Sequence, residues 1–374
     1  MRLVYLANSR IPTEKAHGIQ IMKTCEALAR AGVKLTLIVP KRKNNITTDP
    51  FLYYQVDPIF DIKFVDTWDL VKFGPIGFII QSITYALSAY RAVRRISPAC
   101  VYGRDEYSLL IIGYLTKIPS YFEAHMGRWN IVISLLARKV CGIFPISYGL
   151  KKYFIEKGID EKKIYVIPDA VDAELFVRDI SAEDARKQLD LPRDKSIVLY
   201  SGHLYDWKGA QTIVEIAQGL PDNYLFVVVG GADEDVNRYR NITRNIKNIL
   251  YIGKKPYNQI PIYLRAADIL ILPNSGKEQI SREFTSPMKL FEYMASGRPI
   301  IASNLSSIKE ILSDSMGFFA EADNAQSFLN TIEHISKNGS EAVNKSLQSR
   351  EFVVRSHTWN TRAVSLIQII KQNL

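Results

Sequence analysis

The chain has 374 residues, with 47% hydrophobic and 23% charged residues. That balance excludes a disordered chain, and the length is enough for two domains of ordinary size. The net charge of +10 lies almost wholly in residues 1–173, which hold 24 Lys and Arg against 15 Asp and Glu; without aromatics interleaved in a basic stripe, nucleic acid ranks last as a partner, behind an anionic membrane surface or an acidic substrate.

Arg2–Ala7 is a short apolar strand that runs directly into the polar loop Asn8–Gly18, which is not the pattern of a signal peptide. Cys25, Cys100 and Cys141 are few, odd in number and set among apolar residues. They fit buried thiols in a reducing cytoplasm better than disulfides or a metal site. The expected location is cytoplasmic, with peripheral contact at the membrane face through the basic N-terminal half.

A helix over Ile19–Ala31 carries Ile19, Met22, Cys25, Leu28 and Ala29 on one face, and Val33–Val39 is the next strand. Strand, loop, helix and strand imply a parallel sheet. The loop ends at His17-Gly18 without GxGxxG, so a dinucleotide fingerprint is absent. Gly18 suits either an ordinary turn or close approach to a phosphate or acceptor. Lys41-Arg42-Lys43 reads as a solvated run. Phe73–Tyr90 has no charge, but its Gly, Pro and polar residues argue against a spanning helix. Ile76, Ile80, Ile83, Leu87 and Tyr90 make a helical apolar stripe, read as the face of a core helix in preference to a membrane-surface helix. Strands follow at Ala99–Tyr102, Ser120–Glu123, Phe144–Ser147 and Ile164–Ile167, with a helix over Tyr148–Lys157. His125 stands just beyond a strand end, where ligands bind in open α/β sheets, although a lone histidine is more often structural.

The domain junction is placed near residues 170–180. It divides the chain into an N-terminal domain over 1–173, a second over 174–355 and a last helix over 356–374 that docks back on another domain. After a short helix over 181–190, Ser196–Ser201, the loop Gly202–Gly209, a helix over Ala210–Gln218 and Tyr224–Val229 repeat the strand–loop–helix–strand order. The fold class is α/β, with two doubly wound parallel-sheet domains facing each other across a cleft. Lys208, before Gly209 and a helix, suits equally a surface lysine and one that reaches a phosphate, and His203 is placed to donate to the same anion. Asp233-Glu234-Asp235 reads as a solvated acidic loop, lacking a partner at metal-ligand spacing. Strands at Ile249–Ile252 and Ile269–Leu272 flank a helix over Ile260–Ala267 and lead to the polar loop Asn274–Thr285. The next helix has Ser286 as N-cap, Pro287 at its first position, an apolar stripe of Leu290, Phe291 and Met294, and a stop at Gly297 and Pro299. Lys289 occupies its positive end, where a carboxylate is usual; taken by itself the helix favours a solvated lysine, and a diphosphate at the helix mouth is the other reading. Ile300–Ala302, Ser307–Leu312, Gly317–Phe319 and an amphipathic helix over Arg362–Lys371 complete the chain.

The run Ser286-Pro-Met-Lys-Leu-Phe-Glu-Tyr-Met-Ala-Ser-Gly-Arg-Pro-Ile300 resembles retaining glycosyltransferases of the GT4 type (glycosyl transferases group 1), which have the GT-B architecture of two Rossmann-like domains. Ser201–Gly209, Ala267–Pro273 and the helix entry at His17-Gly18 support the resemblance, which covers most of the chain and is poorly specific for substrate. It implies that Glu292 binds ribose hydroxyls, Lys208 neutralises the diphosphate, Thr285 and Ser286 hold the donor at the helix mouth, and Gly253 and Lys254 bracket the base. Gly18, Gly202, His203, Pro287 and Lys289 complete the implied donor-binding set. His125, Lys208 and Glu283 form the implied catalytic set.

This sequence departs from the family in three places. His203 stands where arginine is usual. Phe284 occupies the place of the first of two glutamates, with Glu283 one residue early. Asp169-Ala170 replaces Asn-Gly after the interdomain strand. The implied reaction moves a sugar from a nucleoside-diphosphate sugar to a glycan, lipid-linked or small-molecule hydroxyl with retention of configuration, with no cofactor and no metal expected. The alternatives are a GT-B sugar-nucleotide epimerase and a non-catalytic sugar-nucleotide-binding protein.

Overall fold

Apolar strands alternating with amphipathic helices build two separate parallel sheets in this computed structural model, which describes residues 1–177 and 179–374. The first unit comprises Met1–Asp169 with Trp359–Leu374, and the second Ala170–Thr358.

In the first unit the order is β1 (Arg2–Leu6), α1 (Ala16–Arg30), β2 (Lys34–Lys41), α2 (Pro50–Tyr54), β3 (Asp61–Asp66), α3 (Gly74–Ile96), β4 (Cys100–Gly103), α4 (Glu106–Leu115), β5 (Ser120–Ala124), α5 (Ile131–Lys139), β6 (Gly142–Pro145) and α6 (Tyr148–Glu156). The sheet runs β3-β2-β1-β4-β5-β6. Helices cover both faces of such a sheet, so its strands are apolar nearly throughout: Leu3–Leu6 and Cys100–Tyr102 are fully buried. Strand order reverses between β1 and β4, and ligands bind beyond the C-terminal strand ends at such a reversal.

The second unit contains α7 (Ala173–Phe176), α8 (Ala182–Leu189), β7 (Ser196–Ser201), α9 (Ala210–Gly219), β8 (Tyr224–Val229), α10 (Asp233–Ile242), β9 (Ile249–Gly253), α11 (Ile260–Ala266), β10 (Ile269–Leu272), α12 (Met288–Ser296), β11 (Ile300–Ser303), α13 (Ser306–Lys309), β12 (Phe318–Ala320), α14 (Ala325–Lys337) and α15 (Gly339–Ser356). Its sheet, β12-β11-β10-β7-β8-β9, reverses between β7 and β10. Helix α16 (Trp359–Gln372) packs on α1 of the first unit and buries Leu366 and Ile370 there.

Several expectations are corrected. Helix α1 begins at Ala16, so His17 and Gly18 lie in its first turn and not in a loop. Asp233-Glu234-Asp235 is the first turn of α10, where acids face the positive end of the helix dipole. Pro287 is the N-cap of α12 and Met288 its first residue, one position later than Ser286 and Pro287 imply. Ile164–Ile167 forms no strand, only a bridge from Ile164 to Ile143. The largest inversion is α3. Its buried face is Gly77, Gln81, Ser82, Tyr85, Ala86, Ala89, Ala92 and Val93, and the Ile76, Ile83 and Leu87 stripe points outward.

Candidate functional site

Backbone geometry at the β7/β10 reversal sets the second unit's site. Gly209 follows the turn Asp206–Lys208 with φ +80°, and a Cβ there would sit 1.7 Å from the Pro273 carbonyl oxygen. No other residue permits that approach. It locks the loop after β7 against the loop after β10. The Ser275 N–H donates to the Trp207 carbonyl at 3.0 Å, and the Ser281 hydroxyl donates to the same oxygen at 3.3 Å. At the neighbouring strand end Gly230 has φ +109°, and a Cβ would stand 2.8 Å from the Gly202 carbonyl oxygen. The ends of β7 and β8 are thereby left bare of side chains.

Into this edge come two lysines and a glutamate. The Lys289 ammonium donates to the Tyr200 hydroxyl at 2.9 Å and lies 4.0 Å from the centre of that ring. The Tyr200 hydroxyl gives its own proton to the His203 carbonyl at 2.7 Å, so only its lone pair faces the lysine. The same ammonium would lie 3.2 Å from a Cβ on Gly202. Burial drives the Lys289 pKa well below the ordinary lysine value, and nearby Lys208 lowers it further. Burial also lowers Lys208 to about 8. Burial raises Glu292 to about 7, with Tyr257, Lys289 and Lys208 pulling the other way. Among the described residues neither lysine has a carboxylate within 4.0 Å. Two crowded lysines, drawn by Glu292 only beyond ion-pair distance, form a receptor for a multiply charged anion.

The remaining expected residues fall around this centre. Ser286 is buried, and Thr285 and Pro287 are half-buried at the entry to α12. The expected loop Asn274–Thr285 contains a π-helical turn, Ile280–Phe284, closed by the Thr285 N–H to Ile280 carbonyl bond at 2.9 Å. Phe284 is buried, whereas Glu283 is half-exposed and accepts from Gln279 Nε2 at 3.0 Å. The His203 ring stacks on Tyr205, with centres 5.1 Å apart. Gly253 ends β9 with φ +79°, and Lys254 beyond it is exposed.

In the first unit the centre is Glu123, at the end of β5. Its carboxylate accepts from Tyr5 Oη at 3.0 Å, Tyr102 Oη at 2.5 Å, Gln20 Nε2 at 2.6 Å, Arg362 Nη2 at 2.7 Å and His125 Nε2 at 2.8 Å. Arg362 and the other donors hold Glu123 well below the carboxylate range against the pull of burial. An ionised carboxylate has no proton to give, so the hydrogen on the His125 bond belongs to Nε2, and Nδ1 keeps a lone pair. Burial, then Arg104, lowers the His125 pKa, which keeps the ring neutral near pH 7. His125 lines a cavity of about 250 Å³ with His17, Arg104, Glu106 and Arg128. Burial and Arg104 lower His17 to about 4. Gly18 is accounted for by packing, since a Cβ would lie 2.1 Å from the Tyr54 hydroxyl.

Sequence reasoning missed Tyr200, Glu123, Arg104 and Arg362 as parts of these centres. Gly230-Gly231 after β8 was the visible signal for the bare strand ends. No group of three or more His, Cys, Asp or Glu able to hold a metal ion occurs among the described residues.

Residues 181–351 match the family model of glycosyl transferases group 1. The chain is 28% identical over 190 residues to the UDP-Gal:alpha-D-GlcNAc-diphosphoundecaprenol alpha-1,3-galactosyltransferase of Escherichia coli, covering 48% of this chain and 47% of that one. It spans about half the length of the curated relatives it matches. Sucrose-phosphate synthase (tll1590) from Thermosynechococcus elongatus superposes with a TM-score of 0.83 at 18% identity, over 99% of this chain and 98% of that one. Anabaena Alr3699/HepE in complex with UDP and glucose superposes with a TM-score of 0.79 at 13% identity, over 100% of both chains. The chain shares with them the GT-B fold of two Rossmann-like α/β domains.

Proposed function

We propose that the protein is a glycosyltransferase that moves a sugar from a nucleoside-diphosphate sugar to a hydroxyl acceptor with retention of configuration. The observation that carries this reading is the pairing of half-buried Lys208 with buried Lys289 beside Glu292 at the β7/β10 reversal. It lies within the segment that matches the family model, and structural neighbours are described in complex with UDP or UDP-glucose.

The difficult step is departure of the diphosphate as positive charge grows on the sugar ring. Lys208, Lys289 and the N–H groups at the start of α12 stabilise the departing charge, which is larger in the transition state than in the bound donor. Glu292, once ionised, accepts from the two vicinal ribose hydroxyls. His125 presents Nδ1 as an acceptor in a polar cavity and serves to orient the attacking hydroxyl or the transferred sugar. Glu283, on the π-turn, is assigned to the sugar. The positive charge comes from side chains and a helix start, so the reading invokes no metal and no cofactor beyond the donor.

The test is a transfer assay with UDP-, GDP- and ADP-sugars over a panel of glycan and lipid-linked acceptors, with the product anomer read by NMR. Lys208→Ala and Glu292→Ala should each lower kcat/KM about a hundredfold or more. Unchanged transfer by both variants would remove the site assignment, and an inverted product would remove retention.

A further inference from the structure

Helix α3 presents its apolar stripe to solvent. Ile76 is 73% exposed, Ile79 44%, Ile83 43% and Leu87 40%. They lie three to four residues apart and make one ridge about three turns long. The inward face is made mostly of small and polar residues, which seat the helix close on the sheet, where the Tyr85 hydroxyl donates to the Ile38 carbonyl at 2.8 Å. A solvated helix carries polar residues outward, so an outward row of Ile and Leu calls for a partner.

The charges around the ridge say which partner. The helix contains no Asp or Glu. Its last turns carry Arg91, Arg94 and Arg95, all exposed. At its other end Phe73 is 64% exposed, and Trp68, 67% exposed, lies beside the middle of the helix, where its N–H donates to Thr84 at 3.2 Å. An aliphatic ridge with exposed aromatics beside it and arginines at its C-terminal end matches a bilayer interface: aliphatic side chains enter the acyl boundary, aromatics sit at headgroup level and arginines meet anionic headgroups. The helix that carries the ridge also lies in the half of the chain that holds the basic excess. A stable interface with a second copy needs about 20–30 residues a side, and a four-residue ridge falls well short of that. No helix among the described residues is long and apolar enough to cross a membrane, so contact through α3 would be peripheral.

We propose that the outward face of α3, formed by Ile76, Ile79, Ile83 and Leu87 with Arg91, Arg94 and Arg95, docks on the surface of an anionic lipid bilayer. None of these seven residues lines the His125 cavity, although Phe78 on the same helix does. The docking experiment needs neither donor nor acceptor, so its outcome stands separately from the transfer assay.

The test is flotation of the full chain with vesicles of phosphatidylcholine alone, or with about a third phosphatidylglycerol, at low and high salt. The protein should float with the anionic vesicles and be released by salt. Substituting Arg91→Gln, Arg94→Gln and Arg95→Gln together should lower partitioning about a hundredfold, at about fivefold for each arginine. Ile83→Asn with Leu87→Asn should lower it at least about tenfold. Both sets change exposed side chains and should leave the melting temperature in place. Failure to float with anionic vesicles, equal flotation with neutral ones, or equal flotation of wild type and variants would overturn the proposal. So would a wild-type dimer that Ile83→Asn with Leu87→Asn converts to monomer, which would assign the ridge to a second copy.

Discussion

Lys208, Lys289 and Glu292 hold charges that burial opposes, and their protonation limits when the site can work. Glu292, raised to about 7, must lose its proton to accept ribose hydroxyls, so donor use should rise with pH through 7. Lys208, lowered to about 8, must keep its proton to meet a diphosphate, so donor use should fall above 8. The expected kcat/KM profile is a narrow bell between these values, and Glu292→Gln should remove its acid limb. A profile flat from about pH 6 to about 9 would contradict this window of about one unit. Lys289 also weighs on stability. The unfolded chain holds the Lys289 proton more tightly than the folded chain does, so stability should rise with pH up to the ordinary lysine value. Lys289→Met should flatten that rise, add about 1–3 kcal/mol in urea unfolding near pH 7, and abolish donor binding. The Tyr200 hydroxyl keeps its bond to the His203 carbonyl in this variant, so no buried donor is left unpaired. Of this centre, Lys208, Lys289 and Glu292 were legible from their places beside helix starts and from the family resemblance. Tyr200 was not, because a tyrosine in an apolar strand looks like core until its hydroxyl's partner, 89 residues away in sequence, is in place.

At the scale of elements, α16 is tied to the rest of the first unit by a buried ion pair as well as by its apolar packing on α1. The Arg362 side chain is 3% exposed and that of Glu123 0%, and the two are 239 residues apart in sequence. Arg362 also donates to the Pro168 carbonyl at 2.9 Å and the Thr24 hydroxyl at 3.2 Å. Glu123→Gln leaves a buried guanidinium without its anion and should cost about 3–5 kcal/mol in urea unfolding. Glu123→Gln with Arg362→Met should cost less than the sum of the single changes, because the second change removes the charge stranded by the first. Strict additivity in that cycle would show that the pair does not act as a unit. The sequence alone shows Arg362 only as part of an amphipathic tail, since a long-range ion pair has no local signature. The α3 inversion has a related cause. Periodicity says which residues share a face and leaves open which face is inward; the small residues Gly77, Ala86 and Ala89 opposite the stripe carried the missing information. Strand β3 escaped because an edge strand interrupted by exposed Asp61, Phe64 and Asp66, with Val65 its one buried residue, lacks an apolar run. The strands buried on both faces were legible, since helices on either side leave no position for a polar residue.

Over the whole molecule, the groups proposed to grip a nucleoside diphosphate all belong to the second unit, while the His125 cavity and the α3 ridge belong to the first. That division gives ligand protection a predictable address. A nucleoside diphosphate at a hundred times its dissociation constant should stabilise its unit by about 2.7 kcal/mol, since it binds the folded state and not the unfolded chain. For a unit of this size that is a rise in melting temperature of roughly 5–10 °C. Amide hydrogen exchange should slow at the ends of β7 and β8, in the Gly202–Gly209 loop and at the start of α12. There the bare strand ends and the N–H groups of the helix start meet the phosphates, and the lysine pair loses its mutual repulsion to the bound anion. The Glu123 network is complete without ligand, with five donors already on one carboxylate, so β5 and α16 should keep their exchange rates. The exchange pattern thus separates a charge centre built for a ligand from one built for the fold. Slowing concentrated on β5 and α16, with β7 and α12 unchanged, would move the diphosphate site to the first unit and leave Lys208 and Lys289 without the anion their burial calls for.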